Sequence, residues 1–126
     1  MDEDGLLAFF SSIGPVTVDG SMRVKPDILA PGVSVLSAFP DSSYEYLDGT
    51  SMAGPHLGGV VALMWSANPA LKGDVEHTEQ ILLRTTSAYK AAPPTCGDQA
   101  QPPYNGTGYG IVDAYAAVQA ALAWSN

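Results

Sequence analysis

Ser51 lies in the run Gly49-Thr50-Ser51-Met52-Ala53-Gly54-Pro55-His56-Leu57-Gly58-Gly59, directly ahead of Val60-Val61-Ala62-Leu63-Met64-Trp65. Small neighbours leave its hydroxyl unhindered, and the apolar stretch behind it reads as a buried helix. A serine where a turn becomes a helix meets the positive end of the helix dipole and its free backbone N–H groups, which favour negative charge. That environment suits a nucleophile whose attack on a carbonyl creates an oxyanion.

A hydroxyl is a weak nucleophile unless a base stands beside it, and that base is usually a histidine held by a carboxylate. The histidines of this chain are His56 and His77. In a helix that begins near Ser51, His56 follows by about 7.5 Å along the axis and about 140° around it, out of easy reach of the hydroxyl. It is expected to be a packed histidine bonded to a nearby backbone group. His77 falls in the first turn of an acidic helix and is expected to face solvent; with Asp74, Glu76 and Glu79 it forms too generic a set for a metal site. Asp48 is too close to Ser51 in sequence to act through an intervening histidine and is expected at a turn or a strand edge. Asp27 is expected to bond to turn backbone groups. No cysteine and histidine cluster has zinc spacing, so no metal ligand is assigned.

Other catalytic and cofactor signatures fail. Gly49-Thr50-Ser51-Met52-Ala53 is not Gly-x-Ser-x-Gly, which disfavours a nucleophile elbow. Gly106-Thr107-Gly108-Tyr109-Gly110 is not the dinucleotide fingerprint, and no P-loop occurs.

The elements that must position Ser51 follow from patterning. Leu6 to Ser12 is apolar and aromatic and stops at Gly14-Pro15, which predicts a short strand and a turn. Val33 to Ala38 reads as a buried strand. After a turn at Phe39 to Ser43, Tyr44 to Asp48 alternates as a second, antiparallel strand. The helix from about Met52 to Ser66 is apolar or small on every side, so it is expected to be covered all round. Gly54, Gly58 and Gly59 cost helix propensity there, and close approach of a neighbouring backbone is their expected use. Asn68-Pro69 ends it. Asp74 caps a helix to about Thr86, with Val75, Thr78, Leu82 and Thr85 as its facing stripe. Tyr89 to Tyr109 is a long loop. Asp113 starts a last helix whose face is Ile111, Tyr115, Val118 and Leu122. Strands and helices in this order predict an α/β layered fold. The helix that asks for cover on all sides implies that additional polypeptide completes the sheet.

Composition narrows the function. The chain has 126 residues, is 46% hydrophobic and carries a formal charge of −8. It is one domain or part of one. The acidic balance argues against a nucleic-acid partner. The apolar run from Leu57 to Ala67 is too short for a bilayer span, so no membrane partner is expected. Met1-Asp2-Glu3-Asp4-Gly5 is not a signal peptide. Cys96, the single cysteine, sits in a loop composition and reads as a free thiol or as a bridge to a cysteine outside this chain. Asn105-Gly106-Thr107 fits the glycosylation sequon, a match that chance supplies readily.

Four blocks together carry a family resemblance. Gly49-Thr50-Ser51-Met52-Ala53 with Pro55-His56 resembles the nucleophile motif of the subtilisin-like serine peptidases, the subtilases. Lys25-Pro26-Asp27-Ile28-Leu29-Ala30-Pro31-Gly32-Val33, Phe10-Ser11-Ser12-Ile13-Gly14-Pro15 and Gly108-Tyr109-Gly110-Ile111-Val112-Asp113-Ala114 resemble other family segments, in the family's order. The resemblance implies a subtilisin-like α/β layered fold with a mainly parallel sheet, of which residues 1–126 are the C-terminal portion. It implies a serine endopeptidase acting through an acyl-enzyme on Ser51, whose own backbone N–H is an oxyanion donor. By resemblance Met52 lines the leaving-group side of the site; plain packing is its other reading. The family order Asp, His, Ser puts the aspartate and histidine motifs upstream, and neither is in this chain. The implied partners are a polypeptide substrate and the upstream part of the same domain. The family is mostly secreted, and calcium sites are common in it, although no loop here assigns one. The alternative is a non-catalytic truncated or split module that binds the missing half of the domain.

Overall fold

A glycine at one end and Asn68-Pro69 at the other bound the apolar run, and the helix between them, α1, spans Thr50–Ala67. The computed structural model describes residues 1–94 and 100–125, so Cys96 lies outside the described residues. Ahead of α1, strands β1 (Val35–Phe39) and β2 (Ser43–Leu47) form a two-stranded antiparallel sheet in which Val35 faces Leu47 and Phe39 faces Ser43. The chain reverses between them over Pro40–Ser42, with Asp41 and Ser42 in the left-handed region at φ 64° and 60°. After α1 come a single turn of 3-10 helix at Pro69–Leu71, then α2 (Val75–Arg84) and α3 (Ala114–Ala123).

Both later helices start on the aspartates that the sequence marks. The Asp74 carboxylate accepts from the His77 N–H, and the Asp113 carboxylate accepts from the Ala116 N–H, which satisfies first-turn donors that no helical carbonyl reaches. Asn68 ties the helices together: its Oδ1 accepts from the Ala70 N–H, and its Nδ2 donates to the carbonyls of Ala121 and Trp124 at 2.8 and 2.9 Å.

The core gathers Val60 and Met64 of α1, Leu71, Leu82 of α2, and Ala117 and Ala121 of α3. Met64, Leu71, Ala117 and Ala121 are completely shielded from solvent. The Trp65 indole N–H crosses to α2, donating to the buried Thr78 hydroxyl at 2.9 Å. Here α3 departs from the face expected of it. Of the expected face Val118 packs against the core, whereas Tyr115 and Leu122 are exposed, and Ala117 and Ala121 are the residues of α3 that are buried.

Extended segments carry backbone from the Lys25 block to the Gly108 block. Leu29 N–H donates to the Gly110 carbonyl and Val112 N–H to the Leu29 carbonyl, each at 2.8 Å, a parallel pairing of Leu29 with Ile111. Ile111 also pairs antiparallel with Ser87. Gly108, at φ +59°, lets the strands close: a Cβ there would lie 2.1 Å from the Asp27 carbonyl oxygen. That carbonyl accepts from the Tyr109 N–H at 2.9 Å. The Asp27 side chain instead pairs with the Lys25 ammonium, so its expected bond to turn backbone is replaced by an ion pair.

Three further expectations are corrected. Residues 6–12 are irregular with a turn at Phe9 and Phe10 rather than a strand, and Phe9 is 99% exposed, because among the described residues no strand lies alongside to complete a ladder. Strand β1 is mostly exposed, not buried. Helix α1 is covered on one side only: Val60 and Met64 are buried, Leu63 is 55% exposed, and a Cβ at Gly54, Gly58 or Gly59 would meet nothing within 4 Å. The elements packed on it are α3, the Pro69–Leu71 turn and, through Trp65, α2. The sequon is also closed, since Asn105 is 1% exposed. Among the described residues no helix is long and apolar enough to cross a membrane.

Candidate active site

Helix α1 begins on Gly49, whose φ of 155° and ψ of 159° lie in a region that glycine alone occupies comfortably. The Gly49 N–H donates to the Gly32 carbonyl at 2.7 Å, and its carbonyl accepts from the N–H groups of Met52 and Ala53 at 3.1 and 3.3 Å. Gly32 sits under this junction: a Cβ on it would lie 2.7 Å from the Gly49 carbonyl oxygen and 3.2 Å from the Ala53 Cβ. The backbone of the Lys25 block is thereby the seat on which the helix starts.

Ser51 is the second residue of α1 and is exposed. The N–H groups of Thr50 and Ser51 precede the first helical acceptor, so they point out of the helix end with the dipole behind them. Among the described residues no group hydrogen-bonds to the Ser51 hydroxyl. It opens on a groove of about 660 Å³ whose walls include Leu36, Leu47, Met52, His56 and Leu63. Met52 is half-buried, and its sulfur lies 3.3 Å from where a Cβ on Gly49 would be. Pro55 lies inside the helix and has no N–H, so the carbonyl of Ser51 lacks its usual partner four residues on. The sequence contains that signal, though reading for side-chain chemistry passes over it.

Neither histidine is joined to Ser51. His56 Nδ1 lies 2.9 Å from the Met52 carbonyl oxygen, which can only accept, so Nδ1 carries the proton. The expected backbone partner is there, but the ring is exposed rather than packed. His77 is exposed as expected, with Nδ1 2.8 Å from Asp74 Oδ2 and its ring tilted 5.4 Å from that of Trp124. The His77 backbone N–H and then its ring hold the Asp74 carboxyl below the usual carboxylate range. Asp113 is held low in the same way by the Ala116 N–H and then the Ser87 hydroxyl. Among the described residues no three histidine, cysteine or acidic side chains converge.

Asp48 is the residue whose placement the sequence leaves least visible. Its Oδ1 accepts from the Ser34 N–H at 2.6 Å, across fourteen positions of chain. Nothing in the local pattern marks Ser34 as the donor.

The model of the subtilase family matches residues 1–110. Bacillopeptidase F of Bacillus subtilis (strain 168) is 44% identical over 115 residues, which are 90% of this chain and 7% of that protein. Minor extracellular protease Vpr of the same organism is 41% identical over 90 residues, 67% of this chain and 11% of Vpr. The CspB protease structure of Clostridium perfringens superposes with a TM-score of 0.69 at 26% identity, covering 92% of this chain and 23% of that one. This chain therefore spans a minor part of the length of each, and with its subtilisin-like α/β architecture it belongs to the subtilase family.

Proposed function

We propose that residues 1–126 are the C-terminal part of a subtilase catalytic domain and that Ser51 is the nucleophile of a serine endopeptidase. The observation that carries this reading is the exposed, unengaged Ser51 hydroxyl at the amino end of α1, within a groove. Peptidase function in general follows from the family; the assignment to Ser51 is the finer step.

In this mechanism the Ser51 oxygen attacks a peptide carbonyl, and a histidine from the upstream part of the domain, oriented by an aspartate there, takes the hydroxyl proton. The carbonyl oxygen becomes an oxyanion facing the Ser51 N–H at the helix end. The histidine passes its proton to the leaving amine, and water then releases the acyl group by the same route. Met52, beside the nucleophile, lines the leaving-group side. The substrate is a polypeptide, and the site of action is extracellular, as the name of Vpr says of that protease.

A second reading is a non-catalytic truncated or split module that docks on the rest of the domain. It draws on the apolar side chains left in solvent, Leu63 at 55%, Leu36 at 51% and Tyr46 at 68% exposure. A fluorophosphonate separates the two. On the first reading the isolated chain labels slowly, and adding the upstream segment in cis or in trans gives fast, stoichiometric labelling that Ser51→Ala abolishes along with peptide turnover. Turnover surviving Ser51→Ala refutes the nucleophile assignment, and rapid labelling of the chain alone refutes the need for a base from the upstream segment. In subtilisin, loss of the nucleophilic serine lowers kcat on the order of 10⁶-fold.

A further inference from the structure

We propose that Asp48 is a positioning residue for Ser51, acting through Gly49 to hold the turn from which the nucleophile projects; this rests on Ser51 being the nucleophile. Ser34 and Asp48 immediately flank the hairpin, one before β1 and one after β2, next to the last strand pair, Val35 and Leu47. Just beyond that pair the Asp48 carboxylate accepts the Ser34 N–H at 2.6 Å. A side chain making that bond closes the base of the hairpin while leaving the main chain of residue 48 free to turn away toward α1. Ser34 has φ 52°, uncommon for a residue with a Cβ.

One residue further on, Gly49 is tied to Gly32 through its N–H and to the first helical turn through its carbonyl. Residues 32–34 and 48–49 are thus stitched twice, just ahead of Ser51. Gly49 has no Cβ to restrict it, so its torsions are set by what holds its neighbours. Removing the Asp48 acceptor leaves one stitch, and the start of α1 gains freedom to rotate about Gly49. Acyl transfer depends on alignment within about 1 Å, so such freedom costs rate more than binding.

The test uses the domain completed by its upstream segment, with Asp48→Ala, Asp48→Asn and Ser51→Ala. Rates on a peptide substrate are taken per active site titrated by fluorophosphonate, so misfolded molecules do not count. Asp48→Asn keeps an acceptor oxygen without the charge. The expected result is a fall in kcat of about tenfold or more for Asp48→Ala, KM within about twofold of wild type, and recovery of most of the rate in Asp48→Asn. A kcat for Asp48→Ala equal to wild type overturns the proposal. So does an equal loss in both variants, which would assign the effect to charge, or a loss confined to KM. If Asp48→Ala yields no titratable sites while Asp48→Asn does, the bond serves folding alone and the positioning role also falls. Activity persisting in Ser51→Ala defeats the nucleophile assignment itself, separately from any result at residue 48.

Discussion

Replacing Gly32 with alanine adds one methyl group at the seat of the candidate nucleophile's helix. That methyl would sit 2.7 Å from the Gly49 carbonyl oxygen and 3.2 Å from the Ala53 Cβ. Ordinary carbon contacts lie near 3.5–4.0 Å, so the helix end must retreat by roughly half an ångström or more. Overpacking of this kind costs about 1–3 kcal/mol. The same retreat stretches the 2.7 Å bond from Gly49 to Gly32, worth about another 1 kcal/mol. The sum, about 2–4 kcal/mol, corresponds to a drop in Tm of roughly 8–16 °C for a chain of this size. Gly32 has a negative φ, so alanine meets no backbone penalty and the clash acts alone. Gly54→Ala is the matched control. It makes the same chemical change four residues into α1, where a Cβ meets nothing within 4 Å, and helix propensity predicts a gain of about 0.5–1 kcal/mol. Thermal unfolding of the 126-residue chain followed by circular dichroism reads both. If Gly32→Ala melts at or above wild type, the backbone seat is not what supports α1, and the account of how Ser51 is placed fails with it.

Met64 is completely shielded between α1 and α3, so Met64→Ala is expected to lose about 2–5 kcal/mol in a denaturant titration. The acid limb of stability is also expected to respond to Asp74 and Asp113, whose folded-state carboxyls lie below 3.8. A carboxyl lowered by folding contributes stability that is whole above its unfolded value and is lost as pH falls through the folded one. Asp113→Ala should therefore melt below wild type at pH 7, with the gap closing as pH falls below 3.8. A gap that stays constant with pH would mean that the cap works without its charge.

Local chemistry was legible in this sequence, and long-range chemistry was not. Asp74 and Asp113 announce their helices because a cap needs only an acceptor two or three residues ahead of the donor it satisfies. Asn68-Pro69 marks the end of α1 for the same local reason. The hairpin is readable from alternation and its turn. Periodicity misjudges part of α3, since an apolar pattern cannot say that Ala117 and Ala121 are buried while Tyr115 and Leu122 are left in solvent. It also misjudges the cover on α1: an apolar helix records what its sequence can bury, and burial depends on what is present to bury it. Ser51 at a helix start is legible from its small neighbours, whereas the Ser34 bond to Asp48 joins positions with no shared pattern.

The blocks that look weakest in the sequence make sense once their partners are known. Gly108 admits the Asp27 carbonyl, and Gly32 admits that of Gly49. Neither glycine presents a functional group; each removes a side chain so that one backbone can lie directly on another. A glycine of this kind acts through a contact far away in sequence, so a single chain displays it only as a gap in an apolar run. Through Leu29 and Ile111 the two blocks form one extended frame, and the 32–34 end of that frame holds residues 48 and 49. The position of the Ser51 hydroxyl is then a property of backbone geometry more than of the groove's side chains. Substitutions along the groove walls should change what is bound there, while substitutions at Gly32, Asp48 or Gly108 should change where the hydroxyl points.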